Sequence, residues 1–180
     1  MKILKILFLS TLSFVYAKTN IVLIPMNGIL IPIVIAEERE VFSEDITNMI
    51  TRNNEIRREV FTGAEIKWNI AIEASAQVHA DYLAQNNLFT HSGTSYGENL
   101  YASGAEASFV DAVNAWYREK AEYNTNTKTC NTGKTCGHYT QLIWKDTLEV
   151  GCAKSSSASW KTIVVCQYNP PGNYIGQTAF

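Results

Sequence analysis

Apolar positions along this chain fall into three regimes. Up to Ala36 they come in nearly unbroken runs, from Ser43 to Tyr123 they recur at helical spacing, and beyond Tyr139 they crowd into short, strand-sized segments. In the middle regime, Ser43-Glu-Asp-Ile46 reads as a helix start, with a hydroxyl cap and acids in the first turn. This helix is predicted to run to about Val60, with Ile46, Ile50, Asn53, Asn54 and Arg57 on one broad face. After Trp68 a longer helix is predicted over Ile70 to Gln85, with the stripe Ile72, Ala76, His79, Ala80 and Leu83. The small alanines on that stripe imply close packing against another layer. Asn86 to Ser103, rich in Asn, Gly and Ser, reads as a loop. A third helix is predicted from Ser108 to Tyr123, with Phe109, Val113 and Trp116 or Tyr117 inward, and Asn124 to Gly137 is a polar loop. Three strands are predicted next, Tyr139–Trp144, Glu149–Lys154 and Thr162–Tyr168, followed by the turn-like tail NPPGNYIGQTAF. Alternation in the first of these puts His138, Thr140, Leu142 and Trp144 on one face, with His138 at the strand's beginning. Helices first and strands last imply an α+β fold, with helices packed on an antiparallel sheet.

The two early apolar runs differ in kind. Residues 1–17 have a basic start (Lys2, Lys5), an apolar stretch from Ile6 to Val15, and small residues at Val15 and Ala17, the pattern of a secretory signal peptide. The stretch is too short for a bilayer span, which takes about 20 apolar residues. Residues 18–42 carry a second run, Ile21 to Ala36, broken by Pro25, Asn27, Gly28 and Pro32. It reads as an extended leader or an apolar arm; joined to the first run, it would be a kinked membrane anchor. The prolines weigh against an anchor, because a lone lipid-facing helix would leave carbonyls unpaired. Residues 43–180 are the soluble domain.

Composition narrows the partners. With 46% apolar and 18% charged residues, the 180-residue chain can bury an ordinary core. A formal charge of -2 and the lack of a Lys/Arg cluster argue against nucleic acid. Four cysteines, Cys130, Cys136, Cys152 and Cys166, suggest disulfides in an exported chain. Of the three pairings they allow, Cys152 with Cys166 is favoured, because both sit in strand-like runs joined by a polar turn. Cys130 then pairs with Cys136 across NTGKT. Zinc is a weaker rival for these cysteines, since there is no C-x-x-C.

The chemistry-bearing candidates are His91, Glu98, Glu119 and His138. Two histidines and two glutamates suit a zinc-type site, or one His–Glu pair suits general-base work. Taken singly they are unremarkable: Glu119 reads as a solvated helix residue and His91 as a loop histidine. His79 reads as a core-facing residue with a backbone partner. Ser92 and Ser95 lie near His91, but neither sits in G-x-S-x-G and there is no H-E-x-x-H.

GHYTQLIW, then VGCA, then VVCQYNPPGNYIGQ, together with YGENL and WYREKAEY, resemble the signatures of the CAP superfamily, which groups cysteine-rich secretory proteins, antigen 5 and pathogenesis-related proteins of the first class. EIKWNIAIEASAQVHADYLA resembles a further family helix. NNEIR resembles the family's H-N-x-x-R, with Asn53 in place of the histidine. The resemblance runs from about Asp45 to Tyr174. It implies a three-layer α-β-α sandwich whose central cleft holds His91, Glu98, Glu119 and His138, with the histidines taking a divalent ion such as Zn2+ in several members. It also supports Cys152 with Cys166. Plant relatives carry two further cysteines; here Asn87 stands at the first position and the serine run Ser155 to Ser157 at the second.

These features lead to the expectation of a secreted, extracellular, non-catalytic binding protein. Its ligand would be an ion, a lipid or sterol, a glycan, or a protein, with Tyr96, Leu100, Tyr101 and Phe109 available to an apolar groove. The rival is a metal-dependent or Ser–His–Glu hydrolase. A third reading makes the four residues a hydrogen-bond network that fixes helices on the sheet.

Overall fold

The computed structural model describes residues 19–26, 29–36, 42–63 and 65–180. The signal peptide expected over residues 1–17 lies outside them. The second apolar run folds as an antiparallel hairpin of β1 (Thr19–Met26) and β2 (Ile29–Ala36), pairing Thr19 with Ala36 and Met26 with Ile29. It forms a unit separate from residues 42–180. Among the described residues no helix is long and apolar enough to cross a membrane.

In the larger unit, α1 (Glu44–Arg58) starts where Ser43 accepts a hydrogen bond from the Ile46 N–H. Its buried face is Met49, Asn53, Asn54, Ile56 and Arg57, while Ile46 and Ile50 pack at the margin. A short strand β3 (Lys67–Trp68) leads into α2 (Ile70–Asn86), capped by Asn69, whose Oδ1 accepts from the N–H groups of Ala71 and Ile72. All five residues of the predicted α2 stripe are buried. Next come β4 (Gly97–Ser103) and α3 (Phe109–Tyr117), the latter opened by a reciprocal Ser108–Asp111 capping box. A 3-10 turn, Arg118–Glu122, takes over where the predicted third helix would have continued. The small ladder β5 (Tyr123–Asn124) with β6 (Thr129–Cys130) precedes α4 (Gly137–Leu142), and β7 (Glu149–Ser155) and β8 (Thr162–Asn169) close the fold.

The main sheet has the order β3-β7-β8-β4. β7, β8 and β4 are antiparallel, and β3 adds a two-residue parallel edge. Helix α2 covers one face through Ala76, Ala80 and Leu83 against Ala153, Ile163 and Val165. Helices α1, α3 and α4 cover the other through Met49, Ile56, Trp116 and Tyr139 against Val150, Cys152, Val164, Cys166 and Tyr168. This is a three-layer α-β-α sandwich, and β8, buried on both faces, explains the nearly unbroken run TIVVCQY. Cys152 lies opposite Cys166 in the β7–β8 ladder and is bonded to it; Cys130 is bonded to Cys136.

Two sequence expectations are corrected here. Residues 97–103 are strand β4 and not loop: Gly97 through Ser103 pair in register with Tyr168 through Thr162. Gly97 is required because a side chain there would strike the buried amide of Gln141. The other is GHYTQL, which is helical and not extended. Its N-cap, Cys136, makes no side-chain cap. Instead the Glu119 carboxylate accepts from the free N–H groups of His138 and Tyr139, at 2.9 and 3.3 Å. At the other end, Arg57 donates to the carbonyls of Leu142, Trp144 and Thr147. Both ends of α4 are thus satisfied by residues distant in sequence, which overrides the β-branched and aromatic local preference.

Two stability predictions follow from α1. Arg57→Met removes the side-chain donor to the Leu142, Trp144 and Thr147 carbonyls, of which Trp144 keeps the Thr147 N–H, and is expected to cost about 3 kcal/mol in chemical denaturation. Asn53 is fully buried, and neither amide atom has a hydrogen-bond partner among the described residues. Asn53→Leu should therefore raise stability by about 1 kcal/mol, read as a higher denaturation midpoint with an unchanged slope.

Candidate functional site

The four residues named from sequence form two His–Glu pairs around the start of β4. In the first, His91 Nδ1 lies 2.8 Å from Glu98 Oε1. Glu98 Oε1 also accepts from the Ser92 N–H at 2.9 Å, and Oε2 accepts from Gln167 Nε2 at 2.9 Å. In the second, His138 Nδ1 lies 2.7 Å from Glu119 Oε1, while Glu119 Oε2 caps α4. The Trp116 ring lies nearly parallel to His138 with centroids 6.2 Å apart, and Asn99 Nδ2 donates to the His138 carbonyl at 3.1 Å. Adjacent residues of one strand, Glu98 and Asn99, therefore hold the two pairs. Among the described residues no hydrogen bond or ion pair runs directly from one pair to the other, and no three His, Cys, Asp or Glu side chains group as ligands of one ion.

The pairs differ in environment. The His91 side chain is 62% exposed over a Glu98 side chain only 5% exposed. His138 and Glu119 are both partly buried. Burial alone would push the Glu98 carboxyl up, but hydrogen bonds from Gln167, Ser92 and His91 outweigh it and hold the group below its ordinary value of 4.5. Each glutamate already accepts from backbone N–H groups, Glu98 from Ser92 and Glu119 from His138 and Tyr139, and in each pair the facing ring is assigned as a further donor through Nδ1–H. That leaves each Nε2 as a lone pair in the neutral imidazole, the arrangement found in metal-ligating histidines with a carboxylate behind them.

The other sequence candidates sit elsewhere. Ser92 Oγ is engaged with Thr94 Oγ1 at 3.1 Å and Gln167 Nε2 at 3.3 Å, and among the described residues it makes no hydrogen bond to His91. Of the four residues expected to be available to an apolar groove, Leu100 and Phe109 are core residues of the two faces, Tyr101 packs against the core, and Tyr96 is half-buried. His79 Nε2 meets the Thr90 carbonyl at 2.8 Å, a core-facing position with a backbone partner. Beside it a cavity of about 570 Å³ opens between α2 and residues 90–94, with His91 in its wall. Sequence reasoning missed Gln167, Asn99 and Trp116. Gln167 is found only through strand register, which sets it directly opposite Glu98.

The tail and α4 are fastened together. Gln141 Oε1 accepts from the Gly172 N–H at 3.0 Å, and Thr140 Oγ1 donates to Asn173 Oδ1 at 2.6 Å. Ser157 Oγ donates to Asn87 Oδ1 at 3.2 Å, so the two positions where plant relatives were expected to carry cysteines are joined by a hydrogen bond.

Comparison with known proteins places the chain in a family. Residues 50–168 match the family model described as "Cysteine-rich secretory protein family". The chain is 37% identical over 165 residues to "Pathogenesis-related protein 1" of Arabidopsis thaliana, covering 92% of this chain and 97% of that one. It is 38% identical over 133 residues to "Pathogenesis-related protein PR-1 type" of Sambucus nigra, covering 73% and 79%. Among solved structures, "Crystal structure of NaASP2 with Zn2+" aligns with a TM-score of 0.63 at 24% identity, covering 78% of this chain and 87% of that one. Schistosoma mansoni venom allergen-like protein 4 aligns with a TM-score of 0.58 at 23% identity, covering 74% and 92%. These structures share the fold.

The depressed Glu98 carboxyl sets an acid limit. A group whose folded pKa lies below its unfolded value stabilises the fold above the unfolded value and loses that contribution as pH falls through the folded one. Glu98→Gln should lower stability at pH 7 by about 1.5 kcal/mol. The gap from the parent should close as pH drops below 4.5, measured by denaturant titration at a series of pH values.

Proposed function

This chain belongs to the cysteine-rich secretory protein family, and on that premise we propose that it is an exported, non-catalytic binding protein whose histidines take a divalent cation. One observation carries the reading: both His91 and His138 have Nδ1 committed to a glutamate, which orients the ring and leaves Nε2 for a ligand. In this reading the two imidazoles would hold an ion of the zinc type, with Glu98 and Glu119 as orienting carboxylates behind the rings. Such an ion supplies positive charge and open positions for oxygen ligands. Export is supported by the family, by two disulfides and by the absence of a free cysteine among the described residues.

The geometry favours binding over hydrolysis. A Ser–His–Glu relay needs the serine on the imidazole nitrogen opposite the carboxylate. Ser92 Oγ instead faces Thr94 and Gln167, and its backbone N–H is on the same Glu98 oxygen as His91. Glu98, with three hydrogen bonds and a depressed pKa, is a poor general base. A structural role also applies to one pair, since Glu119 caps α4 while it orients His138.

Titration calorimetry with Zn2+ tests this reading. His91→Ala and His138→Ala should each weaken binding at least about tenfold, and Glu98→Gln or Glu119→Gln by about 10- to 100-fold. Affinity should fall as pH is lowered, because protons compete for the ring nitrogens. Unchanged affinity in both histidine variants would sink the cation reading. Ester or peptide turnover that disappears in Ser92→Ala would sink the non-catalytic one.

A further inference from the structure

The cavity beside His91 has two unlike walls. One is the outer face of α2, where Ser75, Val78 and Tyr82 recur at helical spacing. Val78 is 73% exposed and Tyr82 49%, so both are open to a ligand. The Tyr82 ring is nearly parallel to that of the buried His79, at 17° with centroids 6.1 Å apart, so the exposed aromatic surface on this wall is that of Tyr82 alone. Facing it, residues 90–94 present hydroxyl groups and an imidazole. Ser92 Oγ and Thr94 Oγ1 are joined at 3.1 Å, and His91 keeps Nε2 open because Nδ1 is on Glu98. This second wall is tied down at two points, by His79 Nε2–H donating to the Thr90 carbonyl and by the Ser92 N–H donating to Glu98.

The lining excludes several ligand classes. It contains no Lys or Arg to hold a phosphate or sulfate, and no Asp or Glu to hold an organic cation. Its hydroxyl side chains, Ser75, Thr90, Ser92 and Thr94, stand opposite the apolar surface of Val78 and Tyr82, so a wholly apolar acyl chain would be complementary to one wall only. The complementary molecule is uncharged, with an apolar C–H face on one side and a ring of hydroxyls around its edge. A sugar ring has that construction: its axial C–H bonds carry partial positive charge toward the negative face of an aromatic ring, and its equatorial hydroxyls both donate and accept. A cavity of about 570 Å³ lies within the range of small-molecule sites.

We propose that the cavity between α2 and residues 90–94 binds a neutral saccharide, its C–H face on Tyr82 and its hydroxyls on Ser92, Thr94 and the open nitrogen of His91. Tyr82 sets the stacking and the 90–94 segment reads the hydroxyl pattern. The proposal deepens the binding-protein reading but needs no cation, so it is tested with a chelator present. Failure then leaves the cation reading intact.

The experiment is a titration of the mature protein with chitotriose, cellotriose and xylotriose in EDTA, followed by calorimetry and by amide chemical shifts. A sulfated heparin disaccharide and palmitate serve as charged and lipid comparisons. At least one neutral trisaccharide should saturate with a Kd of about 1 mM or tighter, shifting amides of residues 90–94. Tyr82→Ala, a surface change on a helix, should weaken that binding about tenfold, whereas Tyr82→Phe should retain it. Thr94→Val should weaken it by a smaller factor. The proposal is overturned if none of the three sugars saturates by about 10 mM. It is also overturned if Tyr82→Ala binds as well as the parent, or if palmitate or the sulfated sugar takes the site in preference.

Discussion

Arg57 organises the helical half of this molecule. The residue is 2% exposed, and its guanidinium donates to the carbonyls of Leu142, Trp144 and Thr147, with Lys145 at the limit of hydrogen-bond distance. Those carbonyls belong to the end of α4 and the turn into β7, backbone that neither helix nor sheet can satisfy. Burial lowers the Arg57 pKa to about 10, so the group stays charged at neutral pH and its hydrogen bonds are charge-assisted. A planar fork with five donors suits a set of converging carbonyls as a lysine does not. Three residues earlier, Asn54 closes a second connection: its amide accepts from the Ile66 N–H and donates to the Ile66 carbonyl, fastening the segment that leads into β3. One face of α1 thereby holds the chain on both sides of the sheet's first edge.

The same economy governs the site. Glu119 holds a histidine with one oxygen and caps a helix with the other, so the position of His138 and the existence of α4 have a common cause. The His91–Glu98 pair is built differently. Its carboxylate is anchored by the sheet, through Gln167 on the neighbouring strand, and its imidazole stands in solvent. One histidine is embedded in a helix that the fold requires, and the other lies on a loop pinned to the fold. Changes at the first perturb structure and site together, while changes at the second act on the site with less effect on the core.

Between the layers, contact is close enough that small residues are obligatory. At Gly151 a side chain would strike the backbone of α2 at Ile72 and Glu73, which is why VGC needs a glycine despite an ordinary backbone conformation. The alanine stripe of α2 serves the same approach on the following turns. Asn87 ends α2 in the left-handed conformation that asparagine tolerates, and its side chain meets Ser157 in the β7–β8 connection.

The sequence by itself determined the elements whose burial follows a single period. Helix α2, its stripe and its start were readable because one face meets the sheet and the rest meets water. Strands β7 and β8 were readable from dense apolar runs between turns, and the Cys152–Cys166 pair from their hairpin arrangement. The resemblance to a known family named the two histidines and two glutamates. What only the tertiary structure decided were β4 and α4. Strand β4 is an edge strand of glycine, asparagine and tyrosine whose pairing is defined by β8, a partner some sixty residues away with no local trace. Helix α4 is too short to hold itself, and its ends are satisfied by Glu119 and Arg57, so a local reading of GHYTQLIW sees strand formers and misses the caps. The division of the four residues into two pairs was decided in the same way, because hydrogen bonds to Gln167, Asn99 and the α4 backbone exist only once the layers have closed.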